Sequence, residues 1–255
     1  FFLLFQVIFY LIIDNVVKEN YQVFNYLNRF NNFLYEVIKE FECGNGTKQN
    51  QYIYSSFVLF SKYYQSCVIM IKYGLHESAE VLMRNILEIF LSIKYVINDK
   101  DNIESMILKY VTTKTKNINN IEKQNFENEL SPENLCKYKS VIKKIEDEYN
   151  EKNICLQPNI KKMCEQLGLH EEYLKYQYLC EYSHNSLMVL NDLLINNKEN
   201  VLLNIYPKFD DLKGISYRLI DISSKIVNSI INYYSFNKLI ERNNSLIKEA
   251  DEIFN

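Results

Sequence analysis

The residues best suited to chemistry in this sequence lie around one histidine, His184. The chain has only three His, and this one follows Tyr176 and Ser183 at helical spacing in an apolar pattern. Because an imidazole titrates near neutral pH, His184 could serve as a general acid or base. Tyr176 and Ser183 would flank it, and Asn185 and Ser186 would orient it by hydrogen bonds. The alternative is a core histidine that donates a hydrogen bond to a neighbouring helix.

A second candidate is Arg84, one of only four arginines. At 100° per residue, Arg84 shares a narrow wedge of its helix with Glu77 and Glu88, and Glu80 lies beside that wedge. Arg84 and Glu88 are four residues apart and can form an ion pair. The pair is either a structural link between helices or an anion site in which Glu88 positions Arg84. We expect Arg84, Glu88 and His184 to line one cleft on facing helices.

Patterns that would bind metals or nucleotide cofactors are missing from the sequence. The six Cys include no Cys-x-x-Cys pair, and no His lies near two of them. There is no phosphate-binding glycine loop, no dinucleotide fingerprint and no His-Glu-x-x-His. We therefore expect no metal and no cofactor, and free thiols in a cytoplasmic protein. A net charge of −3 does not indicate a general nucleic-acid binder, although a local basic patch stays open.

The composition predicts an all-α bundle of six to eight helices without a substantial sheet. The chain has only 5 Gly and 3 Pro, whereas a sheet-rich fold of 255 residues needs many tight turns. A short link at Gly74 joins the second and third helices as an antiparallel hairpin, on which the bundle is built. The segment 201–207 could be a short extended piece. Apolar spacing places the helices at about 16–41, 52–73, 76–97, 103–110, 132–149, 160–167, 171 onward and 212–239, which 242–254 could continue.

We read residues 1–255 as a single helical domain, because neither an internal repeat nor a linker is visible. Residues 1–13 are almost wholly apolar but too short to span a membrane. We interpret them as the buried start of the first helix, the alternative being the end of a truncated membrane anchor. Residues 112–130 are polar and are predicted to be a frayed helix or a mobile surface segment.

Two helical motifs in order resemble a known family. The first has small residues, Leu, Arg and Glu on one helix, and the second has Tyr, Leu, Cys and His on another. They are Ser78-Ala79 with Leu82, Arg84 and Glu88, and Tyr176-x-x-Leu179-Cys180-x-x-x-His184-x-Ser186. The pair resembles the uncharacterised helical family called domain of unknown function 5677, over about residues 24–234.

That family is similar in layout to the HEPN helical superfamily, many of whose members are metal-independent ribonucleases of toxin-antitoxin and phage-defence systems. The resemblance gives the catalytic histidine role to His184. The arginine of that signature would fall at or near Gln177, where this chain has none, and the nearest cation is Lys175. Either Arg84 supplies the positive charge from the neighbouring helix, or the protein binds without cleaving.

Two function classes therefore stay open, and so does the question of whether the protein is an enzyme. One is a metal-independent ribonuclease of a defence or toxin system, in which His184 transfers protons and Arg84 stabilises charge on the phosphate. The other is a non-catalytic helical scaffold that binds a protein or nucleotide. We also expect a homodimer, covering an aromatic face formed by Phe57, Phe60 and Tyr64. RNA and a cognate protein are the other partners considered, and a membrane is the least favoured.

Overall fold

The computed structural model describes residues 2–41, 46–123, 132–151, 157–184, 194–197, 200–203 and 209–254. These residues form ten helices and one short β-hairpin. The helices are α1 (Phe2–Glu19), α2 (Tyr21–Glu40), α3 (Lys48–Lys72), α4 (His76–Asn98), α5 (Asn102–Lys123), α6 (Pro132–Glu151), α7 (Ile160–Leu167), α8 (His170–Ser183), α9 (Leu212–Tyr234) and α10 (Asn237–Phe254). Strands β1 (Leu194–Asn197) and β2 (Asn200–Leu203) pair antiparallel, with Leu194 opposite Leu203. The predicted all-α class without a substantial sheet is confirmed.

Helices α3 and α4 form the predicted antiparallel hairpin. Gly74 adopts φ 68 in the turn between them, a left-handed conformation that favours glycine. At the far end of the hairpin, the Gln49 amide Nε2 donates to the Val96 carbonyl at 2.7 Å. Near the turn, the Cys67 Sγ lies 3.7 Å from the Ala79 carbonyl. Contacts at both ends of the hairpin thus fix the register of α4 against α3.

Aromatic side chains fill the core between α2, α3, α9 and α10. Phe57, Phe60 and Tyr64 are fully buried inside this one chain, so the expectation that they form an exposed dimer face is wrong. The buried phenols are satisfied by backbone carbonyls, with Tyr64 donating to Leu27 at 3.0 Å and Tyr26 to Leu246 at 2.9 Å. The homodimer itself stays a prediction, and its stated physical reason no longer holds.

The described part of the chain contains more helices than predicted, because two long helical patterns are each divided. The first is interrupted at Asn20, between α1 and α2. The last is interrupted at Ser235, which takes a left-handed φ of 55 and turns the chain between α9 and α10. Neither break carries a Gly or Pro, the two residue types that most strongly indicate the end of a helix.

The first helix is less buried than the sequence indicates. Tyr10, Leu11 and Ile12 are 66%, 58% and 46% exposed, whereas Ile13 is buried. The interpretation of the apolar start as a buried segment is therefore wrong for these three residues. No described helix is both long and apolar enough to cross a membrane. In the polar segment 112–130, α5 continues to Lys123, and the rest lies outside the described residues.

Candidate functional site

The sequence around α7 fixes where α8 begins. The side chain of Asn159 caps α7 by accepting from the Lys162 amide at 3.0 Å. Gly168 ends α7 with a φ of 67, and the next amide, that of Leu169, donates to the Cys164 carbonyl at 2.9 Å. This tight turn sends α8 back across α4, where Leu179 is buried. The turn therefore decides which side of α8 faces α4.

Helices α4 and α8 run antiparallel. Leu169, just before α8, lines the same pocket as Ile97 near the end of α4. Tyr176, the seventh residue of α8, contacts Arg84 and Glu88 near the middle of α4. The two sequence motifs of the predicted site are therefore carried by neighbouring helices.

Arg84, Glu88, Tyr176 and Cys180 form a compact group, here called the arginine cluster. Arg84 Nη2 lies 2.8 Å from Glu88 Oε1 and donates to the Tyr176 hydroxyl at 3.1 Å. The Tyr176 hydroxyl in turn donates to Glu88 Oε1 at 3.1 Å. The guanidinium also lies over the Tyr176 ring, with Cζ 5.4 Å from the ring centroid. Arg84, Glu88 and Tyr176 are thus joined in a closed triangle of polar contacts, although the predicted third member of this group was His184.

The electrostatics of the arginine cluster favour a fixed positive charge. The hydrogen bond with Tyr176 raises the pKa of Arg84, and the charge of Glu88 adds to the effect. Burial raises the pKa of Tyr176 to about 12, although the hydrogen bond with Arg84 opposes that shift. Tyr176 consequently stays a neutral phenol near pH 7 and cannot act as a base there. Arg84 Nε is buried without a partner, which leaves one unsatisfied donor in the group.

His184 lies apart from the arginine cluster. It follows the last residue of α8 as the C-cap, with its amide donating to the Cys180 carbonyl at 3.1 Å, and its side chain is exposed. The interpretation of His184 as a residue inside a helix is therefore wrong. Eight residues separate it from Tyr176, or roughly 12 Å along the helix axis. No contact joins His184 to Arg84 or Glu88 in the described part of the chain.

Neither of the remaining predicted site residues, Ser183 and Asn185, has a described contact with Arg84 or Glu88. Ser183 is partly buried, and its hydroxyl donates to the Leu179 carbonyl at 3.4 Å, a bond within its own helix. Asn185 lies outside the described residues, so its expected orienting role is untested. Cys180 belongs to the second sequence motif and was given no role there, yet its thiol lies close enough to Arg84 and Tyr176 to act on the pKa of both. Its position one turn after Tyr176 was the available signal.

A second charged contact near the start of α4 was missed. Glu80 is only 2% exposed and accepts two hydrogen bonds from Arg218 of α9, at 3.0 and 2.7 Å. Arg218 also pairs with Asp211 at 3.0 Å. Burial raises the pKa of Glu80 while Arg218 opposes that shift, and burial lowers the pKa of the nearby His76. Arg218 lies among apolar residues of α9, and a charged side chain in such a pattern predicts a buried partner of opposite charge.

A third charged contact fixes α8 to α9. Glu172 pairs with Lys225 at 2.8 Å, and Lys175 pairs with Asp221 at 2.5 Å. Burial acts to raise the pKa of Glu172, but the hydrogen bond from Lys225, a backbone hydrogen bond and the charges of Lys225 and Lys175 together outweigh it, and the pKa is lowered. Lys175, considered above as a substitute for the missing arginine, is thus engaged by a carboxylate of α9.

Metal-binding geometry is absent from the described residues, where no three His, Cys, Asp or Glu side chains come together. The four cysteines described are free thiols, of which Cys67 and Cys164 are buried. Burial raises the pKa of both thiols. Neither is therefore an activated nucleophile.

A family model described as "Family of unknown function (DUF5677)" matches residues 50–201, which is more than half of the chain. The chain belongs to this family. The predicted resemblance is confirmed, although the match is narrower than the expected 24–234. No curated protein and no solved structure matches the chain. The likeness to the HEPN superfamily stays a prediction.

The part of the chain that matches DUF5677 includes both helices of the arginine cluster, as well as His184. Helices α9 and α10 lie beyond the matched residues. Helix α9 nevertheless supplies Arg218 to Glu80 and Lys225 to Glu172. The family segment of this chain is therefore held in place by ion pairs from outside it.

Proposed function

We propose that this chain is a non-catalytic helical binding module for a protein partner. The observation that supports it is the engagement of Arg84 by Glu88 and Tyr176 on its own pair of helices. An arginine that stabilises a scissile phosphate needs its charge directed at the substrate. Here a carboxylate at 2.8 Å already neutralises it. The Arg84–Glu88 pair of α4 then serves as a structural link to α8 through the Tyr176 hydroxyl.

The outer face of α8, formed by Leu174, Tyr178 and Tyr182, is the proposed contact surface. Leu174 and Tyr178 are 65% and 40% exposed and lie one turn apart. The Tyr178 and Tyr182 hydroxyls are hydrogen-bonded at 2.9 Å, and their rings pack edge to face with centroids 5.5 Å apart. Exposed Glu171 and Glu181 share this side of the helix and would repel a nucleic-acid backbone. An apolar surface with acidic neighbours suits a protein partner better than RNA.

The contact surface is tested by capture from extracts of the native cells. We expect a Leu174→Arg and Tyr178→Arg double variant to lose a protein that the wild type retains. Tyr21→Arg, which changes a tyrosine that is 64% exposed on α2, is the matched control and is expected to retain it. Equal retention by the double variant and the wild type would contradict the assigned surface.

A metal-independent ribonuclease is the second candidate, and the exposure of His184 favours it. An exposed imidazole could take the proton from an RNA 2′-hydroxyl, whose oxygen then attacks the adjacent phosphorus and releases the 5′-oxygen. Arg84 is 24% exposed and uses Nη2 for both Glu88 and Tyr176, so a second guanidinium nitrogen could serve the phosphate. A homodimer that brings His184 of one copy near Arg84 of the other would close the separation within one chain.

The two proposals differ in one assay. Purified protein is incubated with total RNA in the presence of EDTA, beside His184→Ala. The binding module predicts intact RNA with both proteins. Chelator-resistant cleavage by the wild type that is lost in His184→Ala would refute the binding module and support the ribonuclease.

A further inference from the structure

A pocket of about 560 Å³ lies at the end of α8 opposite to His184. It is open to solvent and is lined by the second half of α4, the start of α8 and the second half of α9. Its size falls within the roughly 300–1,000 Å³ of typical small-molecule sites. Its apolar wall consists of Phe90, Ile97 and Leu169, with Tyr233 opposite.

Several polar groups around this pocket are already satisfied by the protein. Glu172 is paired with Lys225 at 2.8 Å, so its carboxylate is neutralised. The Ser229 hydroxyl donates to the Lys225 carbonyl at 2.7 Å. Asn228 Oδ1 accepts from Asn243 Nδ2 at 2.8 Å. The acceptors that line the pocket are thus largely used within the fold.

The groups that remain include several hydrogen-bond donors and one positive charge. Lys94 is partly buried at the pocket and has no ion pair in the described part of the chain. The amide nitrogen of Asn228 is left over once its oxygen is engaged, and the Asn232 amide and the Tyr233 hydroxyl have no described side-chain partner. A pocket that offers an ammonium, amide donors and an apolar wall is complementary to an anion with an apolar part.

We propose that this pocket binds a small aromatic anion, with the anionic group on Lys94 and Asn232 and the ring against Ile97, Leu169 and Tyr233. The Tyr233 ring is suited to that contact because it is 36% exposed and held at a centroid distance of 4.8 Å from Tyr234. Binding here would join α4, α8 and α9 through one ligand. The pocket is remote from His184, so the proposal does not depend on either function above.

Binding is measured by calorimetry on the full chain, with phenyl phosphate and phenylacetate as probes. Benzyl alcohol supplies the ring without the charge, and inorganic phosphate supplies the charge without the ring. We expect both aromatic anions to bind with a Kd of about 1 mM or below, and each control probe to bind at least about tenfold more weakly. Failure of both aromatic anions to bind by about 10 mM would overturn the proposal.

Variants locate the binding to the pocket. Lys94→Gln removes the charge and is expected to weaken the aromatic anions about tenfold, which is the loss of one charge-assisted contact. Asn232→Asp places a negative charge beside the ligand and is expected to abolish binding. Lys62→Gln changes an exposed lysine of α3 and is the control, with unchanged binding expected. Wild-type affinity in both pocket variants, with unchanged circular dichroism, would refute the assigned site.

Discussion

Replacing Tyr176 by Phe tests whether the arginine cluster holds α8 on α4. The substitution removes one hydroxyl that accepts from Arg84 and donates to Glu88, both at 3.1 Å. It keeps the ring beneath the guanidinium and leaves the 2.8 Å ion pair intact. The change therefore isolates the two hydrogen bonds that join the helices.

The expected loss in the free energy of unfolding is about 1 kcal/mol. A hydrogen bond to a charged group contributes about 1.5–3 kcal/mol where it is well buried. Here Arg84 is 24% and Glu88 36% exposed, so water replaces part of each lost bond. The surviving ion pair recovers a further part. For a chain of this length, about 1 kcal/mol corresponds to a fall in Tm of roughly 2–4 °C.

Urea unfolding followed by circular dichroism measures the loss, with the midpoint compared at constant m-value. Tyr178→Phe is the matched control, because the same hydroxyl is removed two residues away on the exposed side of α8. We expect the control to change stability by less than about 0.5 kcal/mol. Equal effects of Tyr176→Phe and Tyr178→Phe would refute the structural role of the arginine cluster.

Three further predictions concern residues outside the arginine cluster. Glu80→Ala is expected to lower the free energy of unfolding by about 2 kcal/mol, measured in urea, because it removes a buried carboxylate and leaves Arg218 with only the exposed Asp211 as its partner. The pKa of Glu172 is lowered by Lys225, so its contribution is present above about pH 4.3 and lost as pH falls through the lower folded value. The stability difference between wild type and Glu172→Gln should accordingly be present at about pH 7 and vanish at about pH 2.5. Ser235 and Gly168 both have a left-handed φ, which glycine adopts more easily than other residues. Ser235→Gly should therefore raise the Tm and Gly168→Ala should lower it, each by about 1–3 °C in scanning calorimetry. Tm shifts of the same sign in the two variants would contradict this.

The parts of the fold that followed from the sequence are those set by local signals. Pro132 begins α6 and Gly168 ends α7, as expected from the fixed φ of proline and the freedom of glycine. The ends of helices at Asn20 and Ser235 could not be predicted, because Asn and Ser also occur inside helices without ending them. They follow from how the helices pack, and packing is set by contacts distant in sequence.

The candidate site was predictable only where it lies on one helix. The Arg84–Glu88 pair follows from a spacing of four residues, and it forms as expected. The contact between Glu80 and Arg218 joins residues 138 positions apart, so no spacing rule identifies it. The prediction that His184 lies inside a helix was wrong for a related reason. The apolar pattern of the sequence continues past Ser183, where α8 ends.

The end of α8 should be its most mobile part, because the contacts that fix the helix lie in its first two and a half turns. Glu172 is paired with α9, Tyr176 with α4, and Leu179 is buried. After Leu179 the described polar contacts fall largely within α8 itself, such as the Tyr178–Tyr182 pair. Local opening requires little energy where few buried contacts are lost.

Hydrogen exchange measured by mass spectrometry tests this directly. We expect slow exchange for amides between Glu172 and Leu179, and exchange at least about tenfold faster for those from Glu181 to His184. The fully buried stretch from Phe57 to Tyr64 in α3 is the slow reference. Uniform protection along α8 would show that His184 is rigidly held, which is what a preorganised catalytic base requires. Fast exchange at His184 together with slow exchange at Tyr176 would show that the arginine cluster is rigid. His184 would then require a binding partner to become ordered.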